Sequence, residues 1–250
     1  MDEEGASVVI TIKNEAKNIQ KLLDSLFNND YEHFEVVVVD DMSNDGTEGI
    51  VKKYDKVKYI RTRCSRGEGR NIGAMNSSFE NILFTDGDAI VSNGWIGGMV
   101  SVLNNGFEIA IGKTVYTGKK RYIQDRVKIY FNGIEITAPS VNLAYKKRAF
   151  FSLGGFDKRF VTAEDIDLNL RAAMSGFKFG FCNECVVYAK VRDSFISFLK
   201  QAFWNGYGRA QLEEKHPGML KKTDIRLGHN FYDFMHMSAG AAGYLLYKLR

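Results

Sequence analysis

Proline is nearly missing: the 250 residues hold two, against 24 glycines. Many tight turns and few rigid linkers are therefore expected. Cysteine is scarce as well. Cys64, Cys182 and Cys185 are too few, and odd in number, for a disulfide scaffold, which points to a reducing compartment. No run reaches the roughly 18 apolar residues that a membrane-spanning helix needs. The acidic start MDEEGASVVI does not read as a secretory signal, and none is expected. Neither sign of charge dominates, with 34 basic against 30 acidic side chains and a net charge of +4, so anionic partners are permitted without being demanded. The basic residues form no stripe interleaved with aromatics, and nucleic acid is not an expected partner.

What is present alternates. SVVITI (7–12) and VVVVD (36–40) are β-branched runs without polar interruption, the pattern of parallel strands buried on both faces. Between them Ile19, Leu22, Leu23 and Leu26 recur at helical spacing behind Asn14, a candidate cap. KVKYIRT (56–62) and NILFTD (81–86) predict further strands, NIGAMNSSF (71–79) and WIGGMVSVL (95–103) helices, and FEIAIGKTVY (107–116) another extended run. The order predicts an α/β layer fold with its sites at the carboxyl ends of the strands. Farther on, VNLAYKKRAF predicts a strand and a basic segment, 164–174 a helix capped by Thr162 and closed by Gly176, 177–190 a strand, and 194–214 a long amphipathic helix. Residues 234–250 predict a packed C-terminal helix, with a membrane-surface helix as the alternative.

Several segments carry chemistry. VVVVDDMSNDGTEG ends a strand in carboxylates that can accept hydrogen bonds from a nucleobase or ribose, and Asn14 and Glu15 of TIKNEA reach toward the same crevice. A calcium loop fits poorly, because Lys52 stands where a bidentate glutamate is needed. RGEGRNIGA misses both the dinucleotide fingerprint and the P-loop. As a glycine-rich turn opening a helix, with Arg66 and Arg70, it suits a diphosphate equally with being a plain turn. In ILFTDGDAIV, Asp86 and Asp88 can point the same way from an extended segment, where bare carboxylates repel. A divalent cation held by them and by a substrate's phosphates removes that cost. Glu164, Asp165 and Asp167 crowd a helix start, which is favourable in any protein. Asp165 lies off the apolar face and can serve as a general base. Cys182 and Cys185 read as buried core cysteines, His216 as a weak candidate metal ligand, and Trp204, Tyr207 and Arg209 as an acceptor groove or as packing.

In combination, VVITIKNEAKNI, VVVVDDMSNDGT, GEGRNIGA, ILFTDGDAIV, VNLAYKKRAF and GGFDKRFVTAEDIDLNLR closely resemble the inverting glycosyltransferases of family 2 over roughly residues 7–180. The resemblance implies a GT-A fold, with a Rossmann-like nucleotide-binding half and a mixed central sheet flanked by helices. It implies one domain at 1–215, split into a nucleotide-sugar half (1–115) and an acceptor half (116–215), before a helical tail at 216–250. It implies a hexosyltransferase that uses Mg²⁺ or Mn²⁺ and a nucleoside-diphosphate sugar. Asp88 would be the main metal ligand, Asp86 would serve metal and ribose, and Gly87 would let the chain pass the diphosphate. Thr11, Asn14, Glu15, Asp41 and Arg70 would surround the nucleotide, and Glu164–Asp165 would be the E-D pair with Asp165 as base. Processive members carry Q-x-x-R-W; here Gln201 is followed by Trp204 where that arginine would stand, which implies transfer of one sugar to a glycan or lipid-linked acceptor. A cytoplasmic protein is expected, or one peripheral at the cytoplasmic membrane face through its tail. The alternatives are a nucleotidyltransferase, disfavoured by TIKNEA, and a non-catalytic nucleotide-sugar or carbohydrate-binding module.

Overall fold

The structure is a computed structural model that describes residues 5–124, 128–218 and 230–250. The part of the expected tail at 219–229 lies outside the described residues.

The β-branched runs form β1 (Ala6–Ile12), β2 (Phe34–Asp40) and β3 (Val57–Arg61), and NILFTD forms β4 (Asn81–Asp86). Between them lie α1 (Ile19–Phe27), α2 (Thr47–Val51) and α3 (Arg66–Met75). Then come β5 (Ile90–Val91), α4 (Trp95–Asn104), β6 (Ile109–Thr117), and a small hairpin of β7 (Tyr130–Phe131) and β8 (Ile134–Glu135). The chain continues through β9 (Leu143–Lys146), α5 (Lys147–Ser152), α6 (Glu164–Met174), β10 (Phe179–Lys190), α7 (Phe195–Lys215) and α8 (Phe231–Lys248).

One mixed sheet runs β3-β2-β1-β4-β9-β6-β10-β5. β1 to β4 are mutually parallel, β9 is antiparallel to both β4 and β6, and β10 is parallel to β6. Two reversals restore direction, so β6 and β10 end at the same edge as β1 to β4. This is the Rossmann-like GT-A arrangement, a mixed sheet between helices.

Alternate residues of the central strands feed opposite layers, as a period of two requires. Val8, Ile10, Val36, Val38 and Leu83 pack with Ile19, Leu22, Leu23 and Leu26 of α1 and with Trp95, Ile96 and Met99 of α4. Val9, Val37, Ile82 and Phe84 face the other way, against Ala74 of α3, Phe150 of α5 and Leu168 of α6. Each fully buried aliphatic side chain contributes about 1.5–3 kcal/mol relative to exposure, which is why these runs need no polar face.

Four details depart from the sequence reading. Asn18 rather than Asn14 stands at the N-cap of α1, and Ala163 rather than Thr162 at that of α6. The glycine-rich RGEGR is no turn: it forms the first turns of α3, which begins in a capping box of Ser65 and Glu68. Glycine is costly in a helix, but Gly69 and Gly73 let α3 lie directly on Thr11 and Val9 of β1. Cys182 and Cys185 are buried as expected, and in addition they are bonded to each other across a register shift in β10.

Candidate active site

The loops leaving β1 and β2 are stitched together. Asp40 is fully buried and accepts from the Ser43 amide and hydroxyl at 2.8 and 2.6 Å. Ser43 Oγ in turn accepts from the Asn14 amide, while Asn14 Oδ1 accepts from the Asn44 amide. Asn14 and Met42 hold φ of 56° and 52°, and Ala163 holds 67° ahead of the acidic helix start. Such left-handed residues without glycine cost free energy and gather at sites. Asp41 takes Lys13 Nζ at 2.7 Å and the Cys64 amide. Burial alone would raise its pKa, but these contacts outweigh it and hold the carboxyl below its usual range. Thr11 Oγ1 is buried with no hydrogen-bond partner among the described residues.

Arg70 of α3 joins two chain segments. Its side chain is 2% exposed, Nη1 donates to Glu164 Oε1 at 2.7 Å, and Nη2 donates to Asp86 Oδ1 at 2.8 Å. The ring of Phe156 lies 5.4 Å from the guanidinium carbon. The fork that the resemblance places near a nucleotide thus closes on two carboxylates, and it ties the end of β4 to the start of α6. Burial raises the pKa of Glu164, and Arg70 opposes that rise.

Beyond Asp86, Asp88 lines a crevice together with Glu15. Both carboxyls have raised pKa values, chiefly from burial; Asp86 adds to the rise at Asp88, and Asp88 to that at Glu15. A side chain at Gly87 would collide with Ile12 and crowd Glu15, so glycine is needed for this approach. Among the described residues no group of three His, Cys, Asp or Glu side chains is arranged to hold a metal unaided. Paired, partly desolvated carboxylates nevertheless fit Mg²⁺ or Mn²⁺, which take one or two carboxylates and complete their shell with water and phosphate oxygens. The strain of this pairing is testable. Because its folded pKa is raised, Asp88 loses stability for the fold as pH climbs past its ordinary value toward the raised one. Asp88→Asn should therefore raise the metal-free melting temperature at pH 7 by about 1–4 °C, read by scanning calorimetry.

Asp165 is half-buried, with Oδ2 accepting from the Ser140 amide at 3.1 Å. α7 braces the loop before it: Thr162 Oγ1 donates to the Trp204 carbonyl at 2.7 Å, and Gly208 packs on Thr162. Trp204 is exposed, whereas Tyr207 is buried between Trp204 and Tyr247. Arg209 is half-buried, and burial lowers its pKa. His216 meets buried Asp167 at 2.8 Å, alongside Lys215 and Arg171, and so fastens the end of α7 to α6.

A crevice of about 290 Å³ opens at Asp88, lined also by Asn14, Glu15, Asn18, Lys190, Arg192 and Ser194. A larger cavity of about 600 Å³ lies between α3 and residues 153–159 and contains neither Asp88 nor Asp165, so size does not mark the site. Sequence reasoning passed over Lys190, Arg192 and Ser194. Applying the strand-end rule to β10 would have found them.

Residues 7–165 match the sequence profile of glycosyl transferase family 2. The chain belongs to glycosyl transferase family 2. This glycosyltransferase is 27% identical over 240 residues to glycosyltransferase AglE of Haloferax volcanii, covering 88% of this chain and 76% of that one. It is 22% identical to a dolichyl N-acetyl-alpha-D-glucosaminyl phosphate 3-beta-D-2,3-diacetamido-2,3-dideoxy-beta-D-glucuronosyltransferase of Methanococcus voltae, covering 82% and 72%. In fold it resembles the mannosyltransferase PcManGT of Pyrobaculum calidifontis, solved with GDP-Man and Mn²⁺, at a TM-score of 0.69 and 19% identity over 96% of this chain and 70% of that one. It likewise resembles S. aureus TarS 1–349 with UDP at a TM-score of 0.64 and 22% identity, over 80% of this chain and 64% of that one.

Proposed function

We propose that the protein is an inverting, non-processive transferase that moves a sugar from a nucleoside diphosphate to a hydroxyl of a glycan or lipid-linked acceptor. The observation that supports this reading is the Arg70 fork, which ties Asp86 at the end of β4, two residues before Asp88, to Glu164 at the start of α6, next to Asp165. Residues 1–115 would bind donor and 116–215 acceptor, with 216–250 as a tail. Thr11, Asn14, Glu15 and Asp41 would cradle the nucleoside, Asp88 and Asp86 would hold Mg²⁺ or Mn²⁺, and Trp204 and Arg209 would flank the acceptor, with Tyr207 packed behind Trp204. The bound cation would neutralise charge developing on the departing diphosphate.

In this reading the acceptor oxygen attacks the anomeric carbon from the face opposite the diphosphate, and Asp165 takes its proton. The Ser140 amide fixes one oxygen of that carboxylate; the proton goes to the carboxylate as the new bond forms. Glu164, held by Arg70, positions the backbone of its neighbour. The names of the relatives support the acceptor class, since one acts on a dolichyl phosphate sugar. His216, engaged with Asp167, has a structural role that leaves Asp88 and Asp86 as the proposed protein ligands. Asp88→Ala is expected to erase any Mn²⁺-dependent thermal shift produced by UDP- or GDP-sugars. An undiminished shift removes Asp88 from the site.

No helix among the described residues is long and apolar enough to cross a membrane. The outer face of α8 exposes Phe231, Phe234, Leu245, Leu246 and Leu249, with Lys248 and Arg250 at its end. That composition supports peripheral contact with a bilayer. Phe234→Ser with Leu245→Ser should reduce co-sedimentation with anionic vesicles.

A further inference from the structure

The crevice at Asp88 has two electrostatic sides. Asp88 and Glu15 form one; Lys190, Arg192 and Asp193, at the end of β10 and just after it, form the other. Lys190 is engaged with Asp193 at 2.7 Å. Arg192 is exposed and makes no hydrogen bond or ion pair among the described residues, although its charge is felt at both Asp88 and Glu15. Arg66 also acts on Asp88 electrostatically, but it does not line the crevice.

We infer that Arg192 binds the diphosphate of the donor directly, across the crevice from Asp88. The inference rests on the donor reading above and adds a residue that neither the motifs nor the family match assigns. A cation held by Asp88 and Asp86 would supply two positive charges to the diphosphate. The phosphate oxygens facing away from it remain negative and gain charge as the sugar bond breaks. A guanidinium supplies a planar fork that pairs with two phosphate oxygens at once. Because Arg192 is not spent on a carboxylate, the fork is available without breaking a bond in the fold. Its position at the carboxyl edge, just after β10, also matches where ligands bind in such sheets.

The opposing explanation is that Arg192 merely offsets the charge of Asp88 and Glu15. The lysine variant separates the two roles, since a mere offset of charge is restored in full by lysine and a bidentate fork only in part. If Arg192 is a diphosphate ligand, Arg192→Gln should weaken binding of UDP or GDP in saturating Mn²⁺ by about 10- to 100-fold, the size of a lost charge-assisted hydrogen-bond pair. Binding of Mn²⁺ alone should be unchanged or tighter, because a like charge has left. Arg192→Lys should recover part of the loss, as a point charge without the fork. The side chain is exposed, so the melting temperature should hold. Titration calorimetry reads all three affinities. Equal diphosphate affinity in wild type and Arg192→Gln overturns the inference while the donor site stands. A wild-type protein that binds neither UDP nor GDP, with or without Mn²⁺, overturns the donor reading and this inference together.

Discussion

Asp165→Asn is expected to lower sugar transfer by about 10²–10⁴-fold while donor affinity stays within about twofold of wild type, the latter because the metal and nucleoside contacts proposed lie elsewhere. Asparagine keeps the size of the side chain and its acceptor oxygen toward the Ser140 amide, giving up only the bond that Oδ1 accepts from the Ile166 amide. Single-turnover transfer together with donor calorimetry separates the two effects. Retained transfer would move the base elsewhere. Lost transfer with intact donor binding would dispose of a binding-module reading, since a module has no step for Asp165 to serve.

The largest expected effect on stability is at Arg70. Arg70→Met leaves Glu164, whose side chain is 5% exposed, without its partner. Removing one member of a buried pair costs about 3–5 kcal/mol, or a fall in melting temperature of roughly 6–20 °C for a chain of this size. Glu164→Gln in the same chain should recover much of that loss, because the stranded charge is then gone. A double-mutant cycle in urea measures the recovery. Arg70→Lys should fall between, keeping a charge but reaching only one carboxylate well. In each case transfer should fall more than stability explains, since the end of β4 and the start of α6 lose the link between them. If Arg70→Met folds with wild-type stability, the two ion pairs are not what joins β4 to α6.

The strand layer was legible because its chemistry is local. VVVVD and NILFTD read as strands without help, and their buried faces followed from having no polar side. α1 was equally plain from Ile19, Leu22, Leu23 and Leu26, although its cap was misplaced from Asn18 to Asn14. The start of α3 was missed because three glycines within RGEGRNIG look like a turn by propensity. The signal that overrides them, Ser65 with Glu68 three residues later, was present in the letters and unused. What packs against Gly69 and Gly73 is not local at all.

The site divides the same way. Asp86, Asp88, Glu164 and Asp165 stand out because charge at a strand end or helix start is visible in sequence. That Arg70 binds Asp86 and Glu164 together is invisible there: Glu164 lies 94 residues away, and the guanidinium could equally have faced a phosphate. The bond between Cys182 and Cys185 lies at a register shift between β10 and β6, which a strand reading of CNECVVY does not show. Arg192 follows an unremarkable strand and gains meaning only once β10 is seen to end beside Asp88.

The most direct test of the central claim, that this crevice is a metal-dependent donor site, is a calorimetric titration of wild-type protein with UDP- and GDP-sugars in Mn²⁺ and again in EDTA. Saturable binding of at least one sugar nucleotide is expected in Mn²⁺, with a loss of most of that affinity in EDTA. Equal affinity in both conditions would contradict it.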